Sequence, residues 1–169
     1  MTNYFTTITH KIKKNEQLQL NDVLIAFKTL RRVPGGLSFL SKIISRVAPY
    51  FKTVDPIIKS LDTRMCTATM KKRKAVENHI GTVHVIAICN GLEFVMGVLA
   101  EASVPRHLRW LPKGMQVNYL AKSNSDIKLT AIIEDDWKVG DFEIRVQAHR
   151  SDGVLVVDGK ITLWVTENH

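Results

Sequence analysis

Cysteine is scarce: Cys66 and Cys89 are the two in a chain of 169 residues. Two thiols make neither a disulfide framework nor a metal-ligand cluster, and they fit a reducing compartment. Five prolines and nine glycines are also few, and with an apolar content of 45% they exclude a disordered or fibrous chain. No apolar run reaches the roughly 20 residues of a membrane span. The nearest candidate, Val85–Ala100, is sixteen residues long with Glu93 close to its centre, so no integral membrane association is expected. The opening MTNYFTTITHKIKK lacks an apolar h-region, so no signal peptide is expected. One cytoplasmic, globular domain follows as the expectation.

Acidic residues are in deficit, giving a net charge of +8. The deficit is uneven. Residues 1–74 hold 15 Lys/Arg against 4 Asp/Glu, whereas residues 75–169 hold 9 against 12. A basic first half points to an anionic partner such as a phosphate-bearing ligand, an anionic membrane surface or nucleic acid, or simply to solubility. The run Lys71–Lys74 has no helix-turn-helix or aromatic-interleaved basic patch to support it, so nucleic acid is not an expected partner.

The periodicities are clear. Residues 1–17 read as a loose lead-in. Leu20, Val23, Leu24 and Phe27 then recur at helical spacing, with Asn21 as a candidate N-cap and Pro34-Gly35-Gly36 as the stop. Phe39, Leu40, Ile43, Ile44 and Val47 form a second stripe before Pro49. Helices this short are marginal alone, so both are expected to brace something larger. Two extended segments follow, over 53–60 and 62–70, and four more over 106–121, 126–134, 141–150 and 153–166. Asn124-Ser125-Asp126 and Ser151-Asp152-Gly153 are expected hairpin turns, and Val139-Gly140-Asp141 a weaker one. Between the two sets lies Val85–Ala100, apolar except for Asn90 and Glu93. A helix apolar on all sides must be enclosed, and an antiparallel sheet curved around it would do that. The expected class is α+β, in the order β-β-α-β-β-β-β.

A carboxylate on such a helix is costly unless used or satisfied. Asn90 and Glu93 share a face, with Gly97 one turn on, which reads either as a polar notch beside room for a ligand or as a buried Asn–Glu hydrogen-bonded pair. Cys89, Met70 and Met96 read as core filler, and His79 as an exposed loop histidine.

Asn78, Gly81, Thr82, Val83 and His84 resemble the N-x-x-G-x-x-H loop of the hotdog-fold thioesterase superfamily, in the branch similar to phenylacetate-pathway acyl-CoA thioesterases. Glu93 stands nine residues after His84, where that branch places a catalytic Asp or Glu, and LPKGMQVNYL at 111–120 is similar to its strand after the helix. The resemblance covers about residues 51–169, leaving 1–50 as an N-terminal helical extension of a single hotdog domain. It implies acyl-CoA thioester hydrolysis, with coenzyme A as part of the substrate, no separate cofactor and no metal.

On that resemblance Glu93 is the general base or nucleophile, and burial would raise its pKa. The N–H groups of Val85 and Ile86 at the helix start are the oxyanion donors. Asn78 and His84 would position thioester or water, with loop capping as the plain alternative. Gly81, Asn90 and Gly97 are candidate substrate contacts, and Lys71, Lys72, Arg73 and Lys113 candidate partners of the coenzyme A phosphates. Nine residues are two and a half helical turns, so His84 and Glu93 face opposite ways on one helix. A homodimer, or a tetramer built from it, resolves this by taking the helix start from one protomer and Glu93 from its partner. Enzymes of the branch usually follow the histidine with two glycines. Val85 and Ile86 stand there instead, which carries the alternative of a non-catalytic acyl-CoA or lipid-binding module.

Overall fold

A computed structural model describes residues 20–168. The lead-in expected over 1–17 lies outside the described residues, as do the side chains of Leu20 and Asn21. Helix α1 (Leu20–Leu30) and helix α2 (Gly36–Val47) form a pair, joined through the turn at Gly35, whose φ is +74°. Asn21 falls inside α1 rather than ahead of it. A 3-10 turn, Pro49–Thr53, leads to strands β1 (Ile57–Leu61) and β2 (Met65–Met70). The extended segment expected from residue 53 therefore begins only at Ile57. Pro49 at the first helical position favours the turn, and Phe51 packs edge-on against Phe94 with ring centroids 5.3 Å apart.

Helix α3 (Val85–Ser103) follows, then β3 (Leu108–Tyr119), β4 (Ile127–Ile132), β5 (Gly140–Arg150) and β6 (Leu155–Glu167). The six strands form one antiparallel sheet in the order β1-β2-β4-β5-β6-β3, curved around α3. This is the hotdog fold, and the expected α+β order stands. One hairpin does not. β3 pairs with β6, not with β4, so Asn124-Ser125-Asp126 belongs to a crossover. That crossover is tied to the start of α3 by Val83 N–H donating to Ser123 O and by Ser123 Oγ donating to Val83 O, each 2.8 Å. The turn around Gly153 does close the β5–β6 hairpin, with Arg150 N–H donating to Val154 O.

Alternation of side chains along a strand sets which face packs inward. Ile127, Leu129 and Ala131 of β4, and Phe142, Ile144, Val146 and Ala148 of β5, are all buried against α3 or its surroundings. Ile88, Leu92, Val95 and Leu99 complete the same core from the helix side. At Gly91 a Cβ would meet Leu129 Cδ1 at 2.6 Å, so the helix lies closest to the sheet there. α3 is long and apolar enough to cross a membrane by composition, yet Leu92, Phe94, Val95, Leu99 and Ala100 have no exposed surface in this packing. Val23, Phe27 and Leu30 of α1 and Leu40 of α2 join the core from the face of α3 that the sheet leaves uncovered.

Candidate active site

The loop before α3 is built around Asn78. Its N–H donates to Thr82 O, its Oδ1 accepts from the N–H groups of Ile80 and Thr82, and its Nδ2 donates to Thr82 Oγ1 at 2.8 Å. The side chain is thus committed to holding the loop. Gly81 has φ +75° with open space where a Cβ would stand, so it answers a backbone conformation rather than a close approach. His84 is the N-cap of α3, and its Nδ1 accepts the Ile86 N–H at 3.1 Å. A ring nitrogen here does what a serine or aspartate oxygen usually does. Ile86 N–H is therefore occupied, contrary to the expectation of two free donors. Val85 N–H, the first amide of the helix, has no partner among the described residues.

Further along α3, Asn90 does not pair with Glu93. It is buried, and its Nδ2 donates to Thr53 Oγ1 at 2.8 Å, clamping the 3-10 turn onto the helix. Its Oδ1 is buried without a partner. Glu93 is half-buried rather than enclosed, and it lies on the wall of a cavity of about 540 Å³ between α1, α2, α3 and the start of β3. Gly97 and Glu101 line the same wall. Steps of four residues place 93, 97 and 101 on one stripe of the helix. A Cβ at Gly97 would still stand 3.8 Å from Trp110 Cη2, so the glycine leaves a notch.

Burial pushes the Glu101 carboxyl above the usual carboxylate range, partly offset by the nearby Trp110 indole N–H. That N–H is itself buried, with no acceptor at hydrogen-bond geometry. Glu101 and Trp110 were not legible as site residues because the helix was expected to stop at Ala100. It runs to Ser103, and the i, i+4, i+8 recurrence of Glu93, Gly97 and Glu101 is the signal that would have found the first of them.

The candidate phosphate contacts are already engaged. Lys71 pairs with Asp126 at 2.6 Å, Lys72 with Glu77 at 2.5 Å and Lys113 with Asp141 at 2.7 Å, while Arg73 donates to Thr53 O at 2.7 Å. None of the four lines the cavity. The structure thus brings Glu93 and Gly97 together, and separately Asn78, Gly81, His84 and Val85. Val85 and Glu93, the nearest members of the two groups on the helix, stand about 12 Å apart along it at 1.5 Å per residue.

A family model described as "Domain of unknown function (DUF4442)" matches residues 36–165. No curated protein is significantly similar to the chain. Among solved structures, the structural-genomics protein APC5556 is 34% identical, with a TM-score of 0.76 over 86% of this chain and 98% of that one. Thioesterase HI1161 from Haemophilus influenzae is similar in fold at 14% identity and a TM-score of 0.66, over 78% of this chain and 90% of its own. A mutant of thioesterase PA1618 from Pseudomonas aeruginosa is similar at 13% identity and a TM-score of 0.67, over 76% and 92%.

Proposed function

The chain belongs to the DUF4442 family, and from that membership and its hotdog frame we propose that it is an acyl-CoA thioesterase. The observation that carries this reading is Glu93, a half-buried carboxylate held on the wall of a cavity beside the Gly97 notch. Glu93 acts as general base toward water, or as nucleophile, on the thioester carbonyl. The Val85 N–H, aided by the helix dipole, stabilises the oxyanion. The thioesterases to which the fold is similar support the reaction class.

One chain cannot present both groups to one carbonyl, since Val85 and Glu93 stand about 12 Å apart along α3. The reading therefore includes a homodimer in which Val85 of one protomer faces Glu93 of the other. The unpaired edge strand β3, twelve residues long and carrying the 68% exposed Leu111, is the surface that a second copy would cover. Lys71 and Lys113 hold exposed ion pairs worth at most about 1 kcal/mol, so they can exchange them for coenzyme A phosphates. The free thiols Cys66 and Cys89 favour a cytoplasmic setting.

Release of free thiol from a panel of acyl-CoAs tests the reaction. Turnover should fall by about 10²–10⁴ in Glu93→Ala, the usual contribution of a general base. Equal rates in wild type and variant would sink the mechanism. The capture of Ile86 N–H by His84 favours a second reading, a non-catalytic acyl-CoA-binding module, because it removes one oxyanion donor. Tight binding of acyl-CoA without thiol release would select it.

A further inference from the structure

We propose that the outer face of the α1–α2 pair docks the protein peripherally on an anionic lipid bilayer. The charge asymmetry of the sequence has a structural counterpart there. Residues 23–61 hold seven Lys/Arg against one acid, Asp55, and all seven are exposed. None of the seven makes an ion pair among the described residues, whereas every ion pair among those residues involves positions from Arg64 onward. The helices arrange them. α1 buries Val23, Phe27 and Leu30 and turns Ile25, Lys28 and, just past its end, Arg32 to solvent. α2 buries Leu40 and Ile43 and exposes Lys42 and Arg46, one turn apart. Lys52 and Lys59 carry the charge on to the 3-10 turn and β1. Clustered cations without counter-charges repel one another, and an anionic surface relieves that repulsion.

The apolar content of this face selects a bilayer over nucleic acid. Ile25, Val33, Val47 and Tyr50 stand among the cations and are between 46% and 70% exposed. Aliphatic tips enter the interfacial layer of a membrane while neighbouring Lys and Arg meet its phosphates. Single-stranded nucleic acid is instead held by stacked aromatics, and Tyr50 is the one exposed aromatic within residues 23–61. Val47 both lines the cavity and is exposed, so the cavity opens beside the docking face. Ser41 Oγ accepts the Ile58 N–H at 3.0 Å and ties α2 to β1, the edge of the sheet opposite β3. A second copy on β3 therefore leaves α2 open to the bilayer.

The test co-sediments the full chain with phosphatidylcholine vesicles carrying phosphatidylglycerol at roughly one lipid in three, with pure phosphatidylcholine alongside. Binding is expected on the anionic vesicles alone. It should be lost between about 0.1 M and 1 M salt, as the screening length shrinks from about 10 to 3 Å. Each surface cation contributes roughly fivefold to partition, so Lys28→Glu, Arg32→Glu and Arg46→Glu combined should weaken binding at least about a hundredfold. Lys122→Glu, Lys128→Glu and Lys138→Glu combined make the same change in net charge at exposed positions outside the helices, and should keep most of the binding. Ile25→Ser with Val47→Ser should weaken it about tenfold through lost apolar burial. No binding by wild type at low salt, or equal loss in the two charge triples, overturns the proposal. Tighter binding to duplex or single-stranded RNA than to vesicles, unchanged by Ile25→Ser with Val47→Ser, overturns it in favour of nucleic acid. Glu93→Ala should bind vesicles as wild type does, so loss of hydrolysis and loss of docking are separate results.

Discussion

Glu101 and Glu93 occupy one stripe of one helix, yet their surroundings give them different consequences. Because burial raises the Glu101 pKa, the native state binds its proton more tightly than the unfolded state does. Stability on this account is full below the unfolded carboxylate pKa, and it declines as pH rises through the window up to the raised native value. Glu101→Gln removes that decline. The variant should melt higher than wild type at neutral pH and alike in acid, as thermal denaturation at both pH values would show; a variant less stable at neutral pH would contradict it. Glu93 could be picked out from the sequence because one charge in an apolar run is conspicuous. Asn90 could not be assigned correctly. Its partner, Thr53, is 37 residues away in a turn that only tertiary packing defines.

Among the elements, α3 was read most nearly right, since an apolar stretch of that length declares itself. Its end was not, and its cap answers to the plainer of the two readings of His84. His84 replaces a conventional capping residue, and His84→Ala should cost about 1 kcal/mol in denaturant unfolding; an unchanged midpoint would mean that the Ile86 N–H is satisfied otherwise. In β6, Gly159 faces β3 so closely that a Cβ would meet Gln116 O at 2.1 Å and Val117 Cα at 2.7 Å. Gly159→Val should force β3 outward and cost about 1–3 kcal/mol or more, as overpacking does. If its stability matched wild type, the β3–β6 register described above would be wrong. Alternation alone identified these strands but could not say that they were partners.

For the whole molecule, the shared site makes a prediction that no single protomer can satisfy. Val85 is the first residue of α3, where proline is tolerated while its N–H is lost. The preceding His84 has ψ 132°, which a following proline accepts. Val85→Pro and Glu93→Ala should each abolish turnover while folding normally. Mixed and allowed to exchange protomers, the two inactive variants should regain activity, because some dimers then carry one intact site. No recovery, despite exchange verified by sedimentation of tagged chains, would return the site to a single protomer.

Local physics in the sequence by itself determined the order of the elements, the enclosed helix and the inward faces of β4 and β5, because side-chain period and turn chemistry act between near neighbours. It also marked Glu93. Only the tertiary structure decided that β3 crosses to the far side of β6, that α1 and α2 roof a cavity on α3, and that Glu101 and Trp110 meet there. Those are pairings between distant segments, set by which surfaces remain uncovered once the sheet has closed on the helix, and no local pattern carries that information.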